Sequence, residues 1–254
     1  MLTVALPLFR GRHIAWVAME SLCRQKKTDG IEWELVVSEE KNNRHLPFGK
    51  EAIMSYKERL KAVGCANINY NYVKGKPVAL GEKWRLIAKE ANPESEIFIL
   101  QAADCYSQPW RIKDTFDIAK DREVDCIQSM KGVFYDIKTE AYALYAGRLK
   151  GTNLNMAMKT KYMRTLPINN RRRIVDKFLY NHCGRTKGSI LKIGWNNTDH
   201  WKWGMDTHGL NTISVGRQNL IHNKTTGFVK SPIDINEYIP KDIMKRLKTL
   251  KDKC

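Results

Sequence analysis

The chain has 254 residues, 43% of them hydrophobic, and a formal net charge of +17; this composition suits one large α/β domain with a core of its own. No stretch reaches the roughly 18 uninterrupted apolar residues of a membrane span, and the six cysteines form no C-x-x-C pair, which argues against a zinc ribbon. The charge is uneven: residues 1–126 carry 20 Lys and Arg against 18 Asp and Glu, residues 127–254 carry 24 against 9, so +2 belongs to the first half and +15 to the second.

Met1–Pro7 has no basic leader and is too short for a signal peptide. It reads as the start of a buried strand, Leu2–Phe9, and reduced thiols in a cytosol are expected. Arg10-Gly11-Arg12 is a turn. His13–Gln25 reads as a helix, with Ile14, Val17, Ala18 and Leu22 on one stripe. Glu32–Val37 is a second strand ending in Ser38-Glu39-Glu40, and Lys41–Lys50 is a polar loop. Then come a helix over Glu51–Val63, a strand over Asn67–Val73 and a helix over Pro77–Ala91. A strand over Ile97–Leu100 and a helix over Ile112–Ala119 follow. This alternation predicts an α/β fold with a mainly parallel sheet and helices on both faces.

The pattern changes after Asp121. Asp125–Met130 and Val133–Tyr145 are rich in Val, Ile, Phe and Tyr, with Lys131-Gly132 as the expected hairpin turn, so a small antiparallel β addition is predicted. Gly151–Arg164 follows. Ile174–His182 reads as a helix with Asp176 in its first turn, where the helix dipole favours a carboxylate. Ser189–Ile193 is a short strand. Trp195–Gly209 gathers Trp195, Trp201, Trp203, His200, Asp206 and His208. Ile239–Lys253 is a basic amphipathic helix.

The chain is organised around Ile97–Leu100 and the residues that follow it, Gln101-Ala102-Ala103-Asp104-Cys105-Tyr106. A carboxylate just past a buried strand sits where open α/β sheets place ligands. The plainer reading is that Asp104 caps a turn or the next helix.

The order of elements resembles the GT-A glycosyltransferases of the family 2 type, a Rossmann-like fold. Val4-Ala5-Leu6-Pro7-Leu8-Phe9 looks like that family's opening strand, and Trp33-Glu34-Leu35-Val36-Val37-Ser38-Glu39-Glu40 its second strand with an acidic end. Leu80-Gly81-Glu82-Lys83-Trp84-Arg85 is similar to its Gly-x-Lys-Trp-Asn variant, Gly151-Thr152-Asn153-Leu154-Asn155-Met156-Ala157 to its Gly-x-Asn-Met strand, and Val175-Asp176-Lys177-Phe178-Leu179 to its Glu-Asp-x-x-Leu. The likeness spans about residues 2–210. Two departures stand out. The family's Asp-x-Asp is here Ala102-Ala103-Asp104, and its Asn after Lys83-Trp84 is Arg85.

The resemblance implies a single domain that takes a nucleotide sugar, of the UDP type, in residues 1–126. Residues 127–238 would then face the acceptor, and 239–254 would form a basic terminal helix. It makes Pro7, Phe9, Arg10, Glu39, Lys83, Trp84, Ala102 and Ala103 candidates for donor contacts. Asp104 and His208 become candidate ligands of a divalent cation, Mn²⁺ or Mg²⁺, with His222 as a fallback. A charge-balancing cation is what a departing diphosphate needs. Asp176 is the candidate base for the acceptor hydroxyl and Asp206 its competitor. Each has a plainer alternative: a capping or turn-forming Asp, a loop His, a core Trp, a solvated strand-end Glu.

The acceptor is suggested by charge. Lys161, Arg164, Arg171, Arg172 and Arg173, with Trp201 as a stacking surface, suit a polyanion. Enzymes of this type that glycosylate hydroxymethylated bases are encoded by DNA viruses, so DNA in a host cytoplasm is the sharp expectation. A glycan, a lipid-linked acceptor or a viral surface protein is the alternative, with the basic helix on anionic membrane. A non-catalytic nucleic-acid-binding protein on a transferase fold is a further one.

Overall fold

The computed structural model describes residues 1–8, 14–40, 46–74, 78–129, 131–136, 140, 142–146, 156–167, 175–193, 212–216, 228–229 and 239–250. In chain order the elements are β1 (Leu2–Leu8), α1 (Trp16–Leu22), β2 (Trp33–Glu40), α2 (Lys50–Met54), α3 (Lys57–Lys61), β3 (Cys65–Val73), α4 (Leu80–Glu90), β4 (Ile97–Leu100), β5 (Cys105–Ser107) and α5 (Arg111–Arg122). There follow β6 (Cys126–Ser129), β7 (Lys131–Asp136), β8 (Tyr142–Ala146), β9 (Met156–Lys159), α6 (Thr160–Arg164), α7 (Val175–Arg185), β10 (Ile190–Ile193), β11 (Thr212–Gly216), β12 (Phe228–Val229) and α8 (Lys241–Lys248).

The described strands form two sheets. The larger has the order β10-β6-β9-β4-β1-β2-β3, the smaller β12-β8-β7-β11-β5. In the larger, β1 pairs in parallel with β2 and β4, β2 with β3, and β6 with β10. Only β9 runs antiparallel, between β4 and β6. The expected mainly parallel sheet is therefore present. The smaller sheet is antiparallel except for β7 and β11.

Side-chain alternation puts a helical layer on each face of the large sheet. Leu2, Val4, Leu6 and Leu8 of β1 join Leu35, Val37, Ile97 and Ile99 in one core with Ala18, Met19, Leu22, Ile53, Leu60 and Ile112. Ala5, Val36, Phe98 and Leu100 point the other way, into a core with Trp84, Ile87, Met163, Leu179 and Cys183. A strand buried on both faces reads as an unbroken apolar run, which is why these strands stand out in the sequence.

Several boundaries differ from expectation. The helix expected over Glu51–Val63 is two short ones, α2 and α3, interrupted at Ser55 and Tyr56. The strand expected over Val133–Tyr145 is a hairpin. Lys131 and Gly132 lie inside β7, paired with Ala146 and Tyr145, so the reversal falls between Asp136 and Tyr142. β2 extends to Glu40, past the expected end at Val37. Cys105–Ser107 is a further strand, which leaves the large sheet and pairs with β11 of the small one. Helix α8 packs its Ile243, Met244 and Leu247 inward. Its Arg246 guanidinium lies 3.9 Å from the Trp16 ring and its Asp242 pairs with Arg24 at 2.6 Å, so its apolar face is turned to the body of the protein.

Candidate functional site

The chain leaves β1 toward β2 and β3, then returns to the other side of β1 as β4. Order reversal of this kind opens a crevice beyond the carboxyl ends of the two strands, here β1 and β4. Pairing of β1 with β4 ends at Ala5 and Leu100, closed by the Gln101 N–H donating to the Ala5 carbonyl at 2.9 Å. Leu2 N–H faces β2, donating to Glu32 O at 3.0 Å. Odd-numbered residues of β1 therefore face β4, and Pro7 faces it past the point where β4 has left. Its missing N–H breaks no ladder bond there. Pro7 is buried on the crevice side of β1.

The acidic end of β2 forms the rim. The Glu39 carboxylate accepts from Phe48 N–H at 2.6 Å, Gly49 N–H at 2.9 Å and Tyr70 Oη at 2.7 Å. Gly49 has φ of +89°, which an L side chain rarely adopts, and this fixes the loop ahead of α2. Glu40 accepts from Val78 N–H at 2.6 Å and forms an ion pair with Lys83 of α4. Glu39, Glu40 and Lys83 are all buried. These carboxylates, expected either to contact the donor or to stand as solvated strand-end charges, anchor the rim to α2, β3 and α4. Trp84 is 1% exposed and meets Phe98 edge-on, with ring centroids 6.2 Å apart, so its ring fills the core under the rim.

The turn after β4 carries Asp104, half-buried, whose Oδ1 accepts from Cys105 Sγ at 3.4 Å. Ala102 and Ala103 precede it, Ala103 buried. A polar network beneath holds the turn. Gln101 Nε2 donates to the Ala102 carbonyl at 2.9 Å and the Cys105 carbonyl at 2.8 Å. Arg111 donates to Gln101 Oε1 at 3.0 Å, Ser107 Oγ at 2.8 Å and the Leu100 carbonyl at 2.6 Å. Sequence reasoning missed Gln101, Ser107 and Arg111. The one available signal was an Arg two positions past Pro109, which looks like an exposed helix start.

Asp176 is the second residue of α7. β10, which follows α7, is parallel to the sheet and starts at its amino edge, where Ser189 N–H donates to Asp125 at 2.9 Å. The helix before it therefore descends from the carboxyl edge, the edge that bears Asp104. Lys161 and Arg164 lie at the opposite edge, because antiparallel β9 delivers the chain there. Lys161 and Lys159 pair with Asp125 at 3.5 and 3.2 Å. Burial pulls the Asp125 carboxyl up, but the Ser189 N–H and hydroxyl and the Lys159 ammonium outweigh it and hold the carboxyl down at about 2. Arg164 donates to the carbonyls of Ala88 (3.3 Å), Asn92 (2.7 Å) and Pro93 (3.1 Å), closing the end of α4. Phe9, Arg10, Arg171, Arg172, Arg173, Trp201, Asp206, His208 and His222 lie outside the described residues.

Among the described residues no group of three or more His, Cys, Asp or Glu is placed to hold a metal ion. The turn itself offers one carboxylate. That fits the way Mg²⁺ is commonly held, by one or two carboxylates with the remaining oxygens from water and substrate phosphate.

No protein-family model matches the chain, and no curated protein matches it by sequence. Its structure is similar to S. aureus TarS 1–349 in complex with UDP-GlcNAc, with a TM-score of 0.56 and 10% identity over 99% of this chain and 69% of that one. TarS 1–349 alone gives 0.54 and 14%, over 75% and 57%. The mannosyltransferase PcManGT from Pyrobaculum calidifontis, in complex with GDP-Man and Mn²⁺, gives 0.53 and 11%, over 84% and 56%. The chain spans 57% of TarS 1–349 in one comparison and 35% of the longer TarS structure. At these identities the likeness is one of fold: the chain has the GT-A α/β fold.

Proposed function

We propose that this chain transfers a sugar from a nucleoside-diphosphate sugar, of the UDP type, to a hydroxyl acceptor. The observation that carries the reading is the crevice between the carboxyl ends of β1 and β4, with Pro7 on one side and the Asp104 turn on the other, in a GT-A fold. Switch-point crevices of this kind take nucleotides. Residues 1–126 bind the donor and residues 127–238 face the acceptor.

Asp104 would hold a divalent cation, with His208 as its candidate partner. When bound, Mn²⁺ or Mg²⁺ offsets the negative charge that builds on the departing diphosphate. Asp176, at the head of α7, is the proposed base. It takes the acceptor hydroxyl proton while the acceptor oxygen bonds to the sugar's anomeric carbon and the bond to diphosphate breaks. Asp206 is the competing candidate.

The acceptor we propose is a hydroxymethylated base in DNA, supported by the +15 charge of residues 127–254. An enzyme acting on such a base inside a duplex must flip it out. One observation favours the second reading, a glycan or lipid-linked acceptor. Arg164 and Lys161, two of the cations expected on the acceptor side, are engaged within the protein at the amino edge.

The test is a panel of UDP-glucose, UDP-GlcNAc and GDP-mannose against hydroxymethylated duplex DNA, unmodified DNA and oligosaccharides. Transfer to the modified DNA alone supports the first reading, and transfer to an oligosaccharide supports the second. Consumption of no nucleotide sugar overturns both and leaves a non-catalytic nucleic-acid-binding protein. DNA binding should weaken with salt at a log–log slope of about −0.9 per phosphate contact. Replacing Arg171, Arg172 and Arg173 by Ala should flatten that slope and spare UDP affinity.

A further inference from the structure

Arg111 is a charge out of place. It opens α5, is 2% exposed, and among the described residues donates to neutral acceptors alone: the Leu100 carbonyl, Gln101 Oε1 and Ser107 Oγ. Its Nε is buried without a hydrogen-bond partner. Burial lowers its pKa to about 10, so the guanidinium stays charged at neutral pH. A buried charge with no counter-charge is costly, and a well-packed apolar side chain would serve stability alone at least as well.

What the charge does is visible at Gln101. A Gln amide presents two different ends, an accepting oxygen and a donating nitrogen. Arg111 can only donate, so with the Ser107 hydroxyl, which it holds and which also donates to Gln101 Oε1, it takes the oxygen and turns the nitrogen toward the turn. There Nε2 holds the Ala102 and Cys105 carbonyls at 2.9 and 2.8 Å. The Cys105 N–H closes the same turn by donating to the Ala102 carbonyl at 3.3 Å. With the amide reversed, an oxygen would face two carbonyl oxygens and the turn would be pushed apart. The turn gets little help from either sheet, because β4 ends at Leu100 and β5 begins at Cys105 in the other sheet. Gln25 fixes the far end of the segment. Its Nε2 donates to the Gln108 carbonyl at 2.9 Å, and its Oε1 accepts from Ile112 N–H at 3.1 Å.

We propose that Arg111 is the positioning residue of this turn: acting through Gln101, it sets the backbone from Ala102 to Cys105 in the shape that receives the donor diphosphate. The inference rests on the crevice being a nucleotide-sugar site. It goes beyond that reading by assigning the shape of the Asp104 turn to a residue that touches neither donor nor acceptor.

Gln101→Glu is the informative variant. A carboxylate still accepts from Arg111, and gives it a counter-charge, so folding survives. Both bonds to the turn carbonyls are lost. Arg111→Lys keeps the charge with a single ammonium in place of the guanidinium fork. Misplacing binding groups by about an ångström costs up to about 10²-fold. UDP affinity, measured by calorimetry on folded protein, should therefore fall about 10-fold or more in both variants. In Gln101→Glu the new counter-charge to Arg111 offsets part of the cost of the two lost carbonyl bonds, so the urea midpoint should fall only modestly, and the KM for the acceptor should not move in either. If both variants remain folded and bind UDP within about twofold of wild type, the positioning role is wrong while the donor site stands. A wild-type protein that binds no UDP removes the donor site and this inference together.

Discussion

Lys83→Met separates an anchoring lysine from a substrate-binding one. Lys83 and Glu40 are 3% and 2% exposed at the side chain and pair with each other, and Glu40 also accepts from Val78 N–H at 2.6 Å. Methionine fills much the same volume but leaves the Glu40 carboxylate buried without its counter-charge. Removing one partner of a buried pair costs about 3–5 kcal/mol. At about 2–4 °C per kcal/mol for a domain of this size, the melting midpoint should fall by roughly 6–20 °C. Glu40→Gln keeps an oxygen for the Val78 N–H and removes the charge. The double variant Lys83→Met with Glu40→Gln should therefore recover much of the loss, with a coupling energy of about 2–3 kcal/mol. Urea unfolding at constant slope gives the numbers. If Lys83→Met unfolds within about 0.5 kcal/mol of wild type, the size of a surface substitution, and UDP affinity collapses instead, the ammonium serves the donor rather than Glu40.

Other consequences follow from the same geometry. Arg164→Ala removes charge-assisted bonds to three carbonyls at the end of α4, and should cost about 1.5–3 kcal/mol in urea unfolding without changing the salt dependence of DNA binding; a changed salt slope would return Arg164 to the acceptor surface. Asp114 is pushed up to about 7, first by burial and then by the neighbouring Asp117. Folding therefore keeps a proton the unfolded chain has lost, and stability falls as pH rises from about 4 to about 7. Asp114→Asn should match wild type near pH 4 and melt higher above pH 7; equal midpoints at pH 8 would contradict this. Asp176→Asn should lower kcat more than Asp206→Asn with little change in donor affinity, and the reverse order would make Asp206 the base.

The fold was legible where burial is two-sided. Ile97–Leu100 is apolar throughout, and Leu2–Leu8 apart from the hydrogen-bonded Thr3, because both faces meet helices, and their order with the intervening helices gives the parallel sheet. The position of Asp104 followed from the end of β4. The partners of the charged residues were not legible. Glu39 and Glu40 look like donor contacts or solvated strand ends until Tyr70, Val78 and Lys83 arrive from 31 to 43 positions away. Lys161 and Arg164 look like neighbours of an acceptor site because they follow the Gly151–Ala157 segment. One antiparallel strand, β9, carries them to the far edge of the sheet, and strand direction leaves no mark in so short an apolar run. Arg111 gave no sign of burial, since an Arg at the start of a helix is ordinarily exposed.

The most direct measurement is calorimetric titration of UDP into wild-type protein and Asp104→Ala, each with Mn²⁺ and with EDTA. The account predicts one UDP per chain for the wild type, tighter with Mn²⁺ than with EDTA. For Asp104→Ala it predicts a folded protein whose UDP affinity no longer responds to Mn²⁺. Wild-type protein that takes up no UDP at millimolar concentration would contradict a donor site at the crevice between β1 and β4, and an Asp104→Ala variant that matches wild type under both conditions would contradict the metal role of Asp104.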